Sequence, residues 1–141
     1  MTNLRSDEYV ASYIDTDHDI AGPIKMVITT PASGAWRLSV GCFAKTECNV
    51  TLTEAVTIGA AGTALTLRNL TRHGTHPDSS GVLAEYGGTY TGGTEIFTAA
   101  TVDRESLGPH WILKQSTSYL ITATSKADNN YTSVSAHVWK G

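Results

Sequence analysis

The chain has 141 residues, enough for one domain with its own apolar core and too few for a two-domain enzyme. Only 16% of the residues are charged, against roughly 25% in ordinary soluble domains, while 21 are threonine and 13 glycine, the profile of an all-β protein. A formal charge of -3 leaves no broad basic footprint, so nucleic acid is not an expected partner.

Met1 to His18 lacks a basic start followed by an apolar block, and no signal peptide is expected. The longest apolar runs are a few residues, far short of the roughly 20 that cross a bilayer, so no membrane partner is expected either. Residues 1–8 precede the first clear alternation and are read as an arm that orders on a neighbouring surface, in front of a single domain over residues 9–141.

Period-two alternation predicts strands at about Tyr9–Ile14, Ile24–Thr29, Ala35–Phe43, Glu47–Ala55, Thr63–Leu70, Glu95–Ala100, Trp111–Lys114, Thr117–Thr124 and Tyr131–Trp139. Breakers such as Ala21-Gly22-Pro23, Pro31-Ala32-Ser33-Gly34 and Gly59-Ala60-Ala61-Gly62 separate them. Val82 to Tyr86 could make one helical turn. About nine antiparallel strands without helices between them predict a β-sandwich of jelly-roll-like type. In the last strand Thr132, Val134, Ala136 and Val138 make an apolar face and Tyr131, Ser133, Ser135, His137 and Trp139 a mixed one. The turn-rich Lys126-Ala127-Asp128-Asn129-Asn130 predicts that the last two strands form a hairpin.

Cys42 and Cys48 are too few for a disulfide framework. If Ala35–Phe43 and Glu47–Ala55 pair as a hairpin around Ala44-Lys45-Thr46, the two cysteines lie opposite one another and within reach of a disulfide. Two small buried thiols are the simpler expectation. The sequons at Asn49, Asn69 and Asn130 carry no weight without a secretory signal.

Residues Thr71 to Thr94 are rich in glycine and small polar side chains, and such loops on rigid sheets often carry binding. His73, His76 and Asp78 supply ligand chemistry for a metal, but they lack a helix to fix their spacing, and a solvated loop explains them better. Asp15-Thr16-Asp17-His18-Asp19 lacks the glycine and glutamate of a calcium loop. No nucleophile motif or phosphate loop is present, so no catalytic residue, metal or cofactor is assigned. Tyr86 and Tyr90 are the loop aromatics placed to stack on a partner, whereas Trp36, Trp111 and Trp139 sit on predicted strands and are expected to fill the core.

Three segments of the C-terminal third belong together: Trp111-Ile112-Leu113-Lys114-Gln115-Ser116-Thr117-Ser118-Tyr119-Leu120-Ile121, then Asn129-Asn130-Tyr131-Thr132-Ser133-Val134-Ser135, then Val138-Trp139-Lys140. In order and spacing this resembles the small tailed-bacteriophage virion proteins of the head decoration, or cement, type. The likeness extends more faintly through Val50-Thr51-Leu52-Thr53-Glu54, Gly62-Thr63-Ala64-Leu65-Thr66, Arg68-Asn69 and Gly92-Gly93-Thr94-Glu95-Ile96-Phe97, and covers roughly residues 35 to 141. Gln115-Ser116 replaces the family's usual turn proline, and the chain ends Trp139-Lys140-Gly141 instead of Trp-Tyr-Glu.

The resemblance implies a β-sandwich bound to the major capsid protein on the outer surface of an icosahedral head, made in the host bacterial cytoplasm and self-associated as a homo-oligomer. A trimer is favoured over a dimer. The expected function is capsid decoration that stabilises the lattice without catalysis. The alternative is a receptor- or glycan-binding module of a phage fibre or tail, using Tyr86, Tyr90 and the His73–Gly81 loop. Candidate contact residues are Met1, Thr2, Asn3, Leu4, Arg5, His73, His76, Tyr86 and Tyr90.

Overall fold

The computed structural model describes residues 8–70, 80–101 and 107–140. Among the described residues there are thirteen strands: β1 (Glu8–His18), β2 (Ile24–Thr29), β3 (Trp36–Ala44), β4 (Cys48–Glu54), β5 (Thr57–Ala60), β6 (Thr63–Leu65), β7 (Arg68–Asn69), β8 (Leu83–Tyr86), β9 (Thr89–Thr91), β10 (Thr94–Thr101), β11 (Leu107–Ile112), β12 (Ser118–Ser125) and β13 (Asn130–Lys140). They form a five-stranded sheet in the order β11-β3-β13-β1-β7, a six-stranded sheet in the order β10-β4-β12-β2-β8-β6, and a two-stranded sheet of β5 and β9. Every pairing is antiparallel.

The chain alternates between layers as it runs from β1 to β4 and again from β10 to β13. Those eight strands give sheets β1-β13-β3-β11 and β2-β12-β4-β10, which is the jelly-roll connectivity. Residues 55–93 are an insertion between β4 and β10, whose ends pair at Glu54 and Thr94. The insertion contributes β7 to the five-stranded sheet, β6 and β8 to the six-stranded sheet, and the separate β5–β9 pair.

Two expected hairpins are corrected by this topology. β12 and β13 belong to opposite sheets, as do β3 and β4, so residues 126–129 and 45–47 are arches from one layer to the other. The reason lies in burial: β12 is covered on both faces, with Tyr119 and Ile121 in the main core and Leu120 in a second cluster, and it occupies a central position between β4 and β2. The expected Thr63–Leu70 strand breaks into β6 and β7 on different sheets. Val82 to Tyr86 makes no helical turn; Leu83–Tyr86 is a strand paired with Met26–Thr29. Gly87, at φ 77, turns the chain after it.

The main core lies between the large sheets and is built from alternate residues such as Leu38, Val40, Val50, Leu52, Ile121, Val134 and Val138. Trp36 is buried in the core and Trp111 packs against its edge, as expected; Trp139 departs from the expectation, since it is buried on the outer face of β13, level with Glu8 and Arg37 and against the His110 ring. A smaller cluster of Val27, Val56, Tyr90 and Leu120, with Ile58 against it, sits on the outer side of the six-stranded sheet beneath β5 and β9. The approach there is close enough to require glycine, since a Cβ at Gly62 would overlap the Tyr86 carbonyl oxygen and one at Gly88 the Ala60 carbonyl oxygen.

The arches are tied together by Asn130. Its Oδ1 accepts the Thr46 N–H at 2.8 Å, and its Nδ2 donates to Thr46 O at 2.9 Å and to Ser125 Oγ at 3.0 Å. The Lys45 N–H donates to Tyr131 O and the Lys126 N–H to Glu47 O. The sequons at Asn69 and Asn130 are thus structural, both side chains being buried.

At the other end, the fully buried Tyr119 donates its hydroxyl to Glu54 Oε2 at 3.0 Å and accepts the Lys114 N–H at 2.8 Å. Lys114 Nζ lies 3.1 Å from Glu54 Oε1. The Lys114 bond, with help from Tyr119, holds the Glu54 carboxyl below its ordinary range, while burial foremost pushes the Tyr119 phenol up to about 12. The depressed Glu54 contributes stability that is present above the ordinary carboxyl range and is lost as acidification passes through it. The raised Tyr119 contributes stability present below the ordinary phenol range and lost as pH climbs to about 12. Tyr119→Phe is therefore expected to lower stability by about 1–2 kcal/mol at neutral pH and to flatten the alkaline limb of a pH–unfolding profile. Glu54→Gln is expected to flatten the acid limb in the same titration.

Candidate interaction surface

Strands β3, β13 and β1 lie side by side, so the register places their outward residues in rows. Ile14, Ser133 and Phe43 form one row, Ser12, Ser135 and Gly41 the next, then Val10, His137 and Ser39, then Glu8, Trp139 and Arg37. The row of Ser12, Ser135 and Gly41 has only serine and glycine, so the face is recessed there. An open trough of about 490 Å³ runs over Ser39, Gly41, Phe43, Ser133, Ser135 and His137.

The two ends of the trough differ chemically. Near the 45–47 arch, Ile14 is 53% exposed, Tyr131 43% and Phe43 37%. At the other end, His137 Nδ1 is 3.6 Å from Glu8 Oε1, and an Arg37 Nη1 donor meets His110 Nε2 at 3.0 Å. The His110 ring meets Trp139 edge-on at 5.5 Å. Further out on β11, Ile112 is 66% exposed. A broad strip with an apolar end and a hydrogen-bonding end is the chemistry of a protein-contact surface.

The opposite side of the molecule is finished differently. The β5–β9 pair covers Val27 and Leu120 of the six-stranded sheet. Among the described residues, no strand lies over the outer face of the five-stranded sheet.

Tyr90, expected to face a partner from a loop, is instead on β9 and buried. Its hydroxyl donates to Glu85 Oε2 at 2.9 Å and accepts the Gly88 N–H at 3.0 Å, while the Gly62 N–H reaches the same carboxylate oxygen at 2.6 Å. Burial, joined by the Glu85 carboxylate, pushes its phenol up. Tyr90 therefore anchors the β5–β9 layer. Tyr86 is on β8, half-buried, with its ring 4.3 Å from that of Tyr13, bridging the two large sheets. The structure does not bring these two tyrosines together as one platform.

Met1, Thr2, Asn3, Leu4, Arg5, His73, His76 and Asp78 lie outside the described residues. Among the described residues no three His, Cys, Asp or Glu side chains cluster as metal ligands. In the Asp15–Asp19 run, Asp15 Oδ1 accepts the Asp17 N–H and Asp19 Oδ1 accepts the Asn129 N–H, which makes it a capped strand end and turn. His18 is fully buried with Nδ1 2.9 Å from Thr132 Oγ1.

Ile14, Phe43 and Tyr131 were not singled out by the sequence. The available signal was the mixed face of the last strand, on which Tyr131, Ser133, Ser135 and His137 already alternate. No protein-family model matches the chain, and no curated protein is similar to it in sequence.

Proposed function

We propose that the chain is a bacteriophage capsid decoration protein that attaches to the major capsid protein and stabilises the assembled lattice. The observation that carries the reading is the outer face of the five-stranded sheet, which no strand covers among the described residues, with Ile14, Phe43 and Tyr131 exposed beside a floor of small residues. The phage head-protein resemblance of the C-terminal third supplies the kind of partner.

Attachment requires no turnover. A protein that binds only the assembled lattice shifts the equilibrium toward assembly by mass action. Copies joined as a homo-oligomer, a trimer in this proposal, engage several sites at once, so weak single contacts sum to firm attachment. A glycan-binding role for the same chain is less well supported, since Tyr90 is committed to an internal hydrogen-bond network.

The test is to add purified chain to phage heads assembled without it. Saturable binding at a fixed ratio to the capsid protein, with greater resistance of the heads to heat, is the expected result. Binding to host cells or surface glycans with none to heads would overturn it.

A further inference from the structure

Cys42 is the seventh residue of β3 and Cys48 the first of β4, on opposite sheets. Both side chains point into the main core and are no more than 1% exposed. The arch between the strands is only Lys45-Thr46-Glu47, and those three residues are exposed. So short a connection draws the ends of the two layers together and leaves both thiols in one core cluster next to the arch. Cys42 and Cys48 belong to the same buried core cluster, and the Cys48 sulfur lies 3.9 Å from Asn49 O.

We propose that Cys42 and Cys48 are an oxidisable pair, which hydrogen peroxide converts into a disulfide joining the two sheets. This differs from the hairpin bridge suggested by sequence spacing, which would have linked neighbours within one layer. It is also independent of the proposed attachment to capsids.

The two thiols have different roles. The hydrogen bond to Cys48, reinforced by burial, raises the Cys42 thiol above its ordinary range, while the same bond lowers Cys48. Cys48 also directly follows the exposed arch, at the first position of β4, and in this proposal its thiolate attacks. A bond forms between its sulfur and one peroxide oxygen, the O–O bond breaks, and the departing hydroxide leaves as water with the Cys48 proton. Cys42 sulfur then attacks the Cys48 sulfenic acid, the S–O bond breaks, and its hydroxyl leaves as a second water with the Cys42 proton. Two thiols and one peroxide give one disulfide and two waters, with two electrons passing from sulfur to oxygen. Peroxide is small and uncharged, which suits a pair beneath an exposed arch.

The link closes a short loop, and its expected effect is a rise in the thermal midpoint of about 5–10 °C. The experiment treats the native full chain with hydrogen peroxide, quenches it, and counts thiols in denaturant. The expected count falls from two per chain to none, peptide mass spectrometry finds residues 42 and 48 linked with the loss of two hydrogens, and a dithiol reductant restores both thiols and the lower midpoint. Cys42→Ser is expected to leave a sulfenic acid on Cys48 that a dimedone probe captures. Two thiols still free after exhaustive treatment, sulfurs carrying oxygens without a link, or a linked chain that melts lower than the dithiol would each overturn the proposal.

Discussion

Ser135→Trp is expected to abolish attachment to capsids, weakening it by more than about 100-fold, while leaving the thermal midpoint within a few degrees of the unsubstituted chain. Ser135 stands in the middle of β13, outward, between Ser12 and Gly41 on the flanking strands. An indole there fills the trough from its floor, and its outward direction spares the core beneath. Tryptophan is also a good strand former, so local conformation does not oppose the change. Phe43→Ala acts at the rim and is expected to weaken attachment about tenfold, because an apolar anchor is lost and the trough stays open. Titration of heads with each variant, alongside a melting curve, separates loss of contact from loss of fold. Undiminished binding by Ser135→Trp would place the contact elsewhere on the molecule.

Asn130→Ala is expected to cost about 3 kcal/mol of folding stability, a fall of roughly 10 °C in the thermal midpoint. The side chain is 2% exposed and makes three hydrogen bonds, two to the 45–47 arch and one to Ser125 at the start of the other arch. Alanine removes all three and leaves the buried Ser125 hydroxyl with a poorer set of partners. Asn130→Asp keeps the acceptor for the Thr46 N–H but replaces the two Nδ2 donor bonds with a buried carboxylate facing oxygens, so it is expected to be worse than alanine. Calorimetry of both variants checks the order. An alanine variant as stable as the parent would mean that backbone pairing alone holds the arches.

The strands were legible because burial on one face leaves a period-two trace. Thr132, Val134, Ala136 and Val138 make one face in the sequence pattern and are inward on β13, where all four are fully buried. Partner choice leaves no such trace. A hairpin and an arch both need a turn-rich connection, and residues 126–129 satisfy either. What decided between them was the two-sided burial of β12, which demands a central place in a covered sheet.

The insertion was legible only as a glycine-rich stretch. Its β5, β8 and β9 strands are three or four residues long and acquire their conformation from long-range pairing with one another or with β2 and β6. The same limit explains Tyr90: an aromatic between glycines reads as a loop residue until Val27 and Leu120 are found beneath it. The cysteines show another case: their burial was legible and both lie in the main core, although the hairpin assumed between their strands was wrong.

The most direct measurement is a three-dimensional map of the intact phage particle at side-chain resolution. It should find this chain on the outside of the head with the outer face of the five-stranded sheet against the shell, and Ile14, Phe43 and Tyr131 buried in the contact. A map in which the β5–β9 layer meets the shell while that face is bare to solvent, or one in which the chain is not part of the particle, would contradict the proposed attachment.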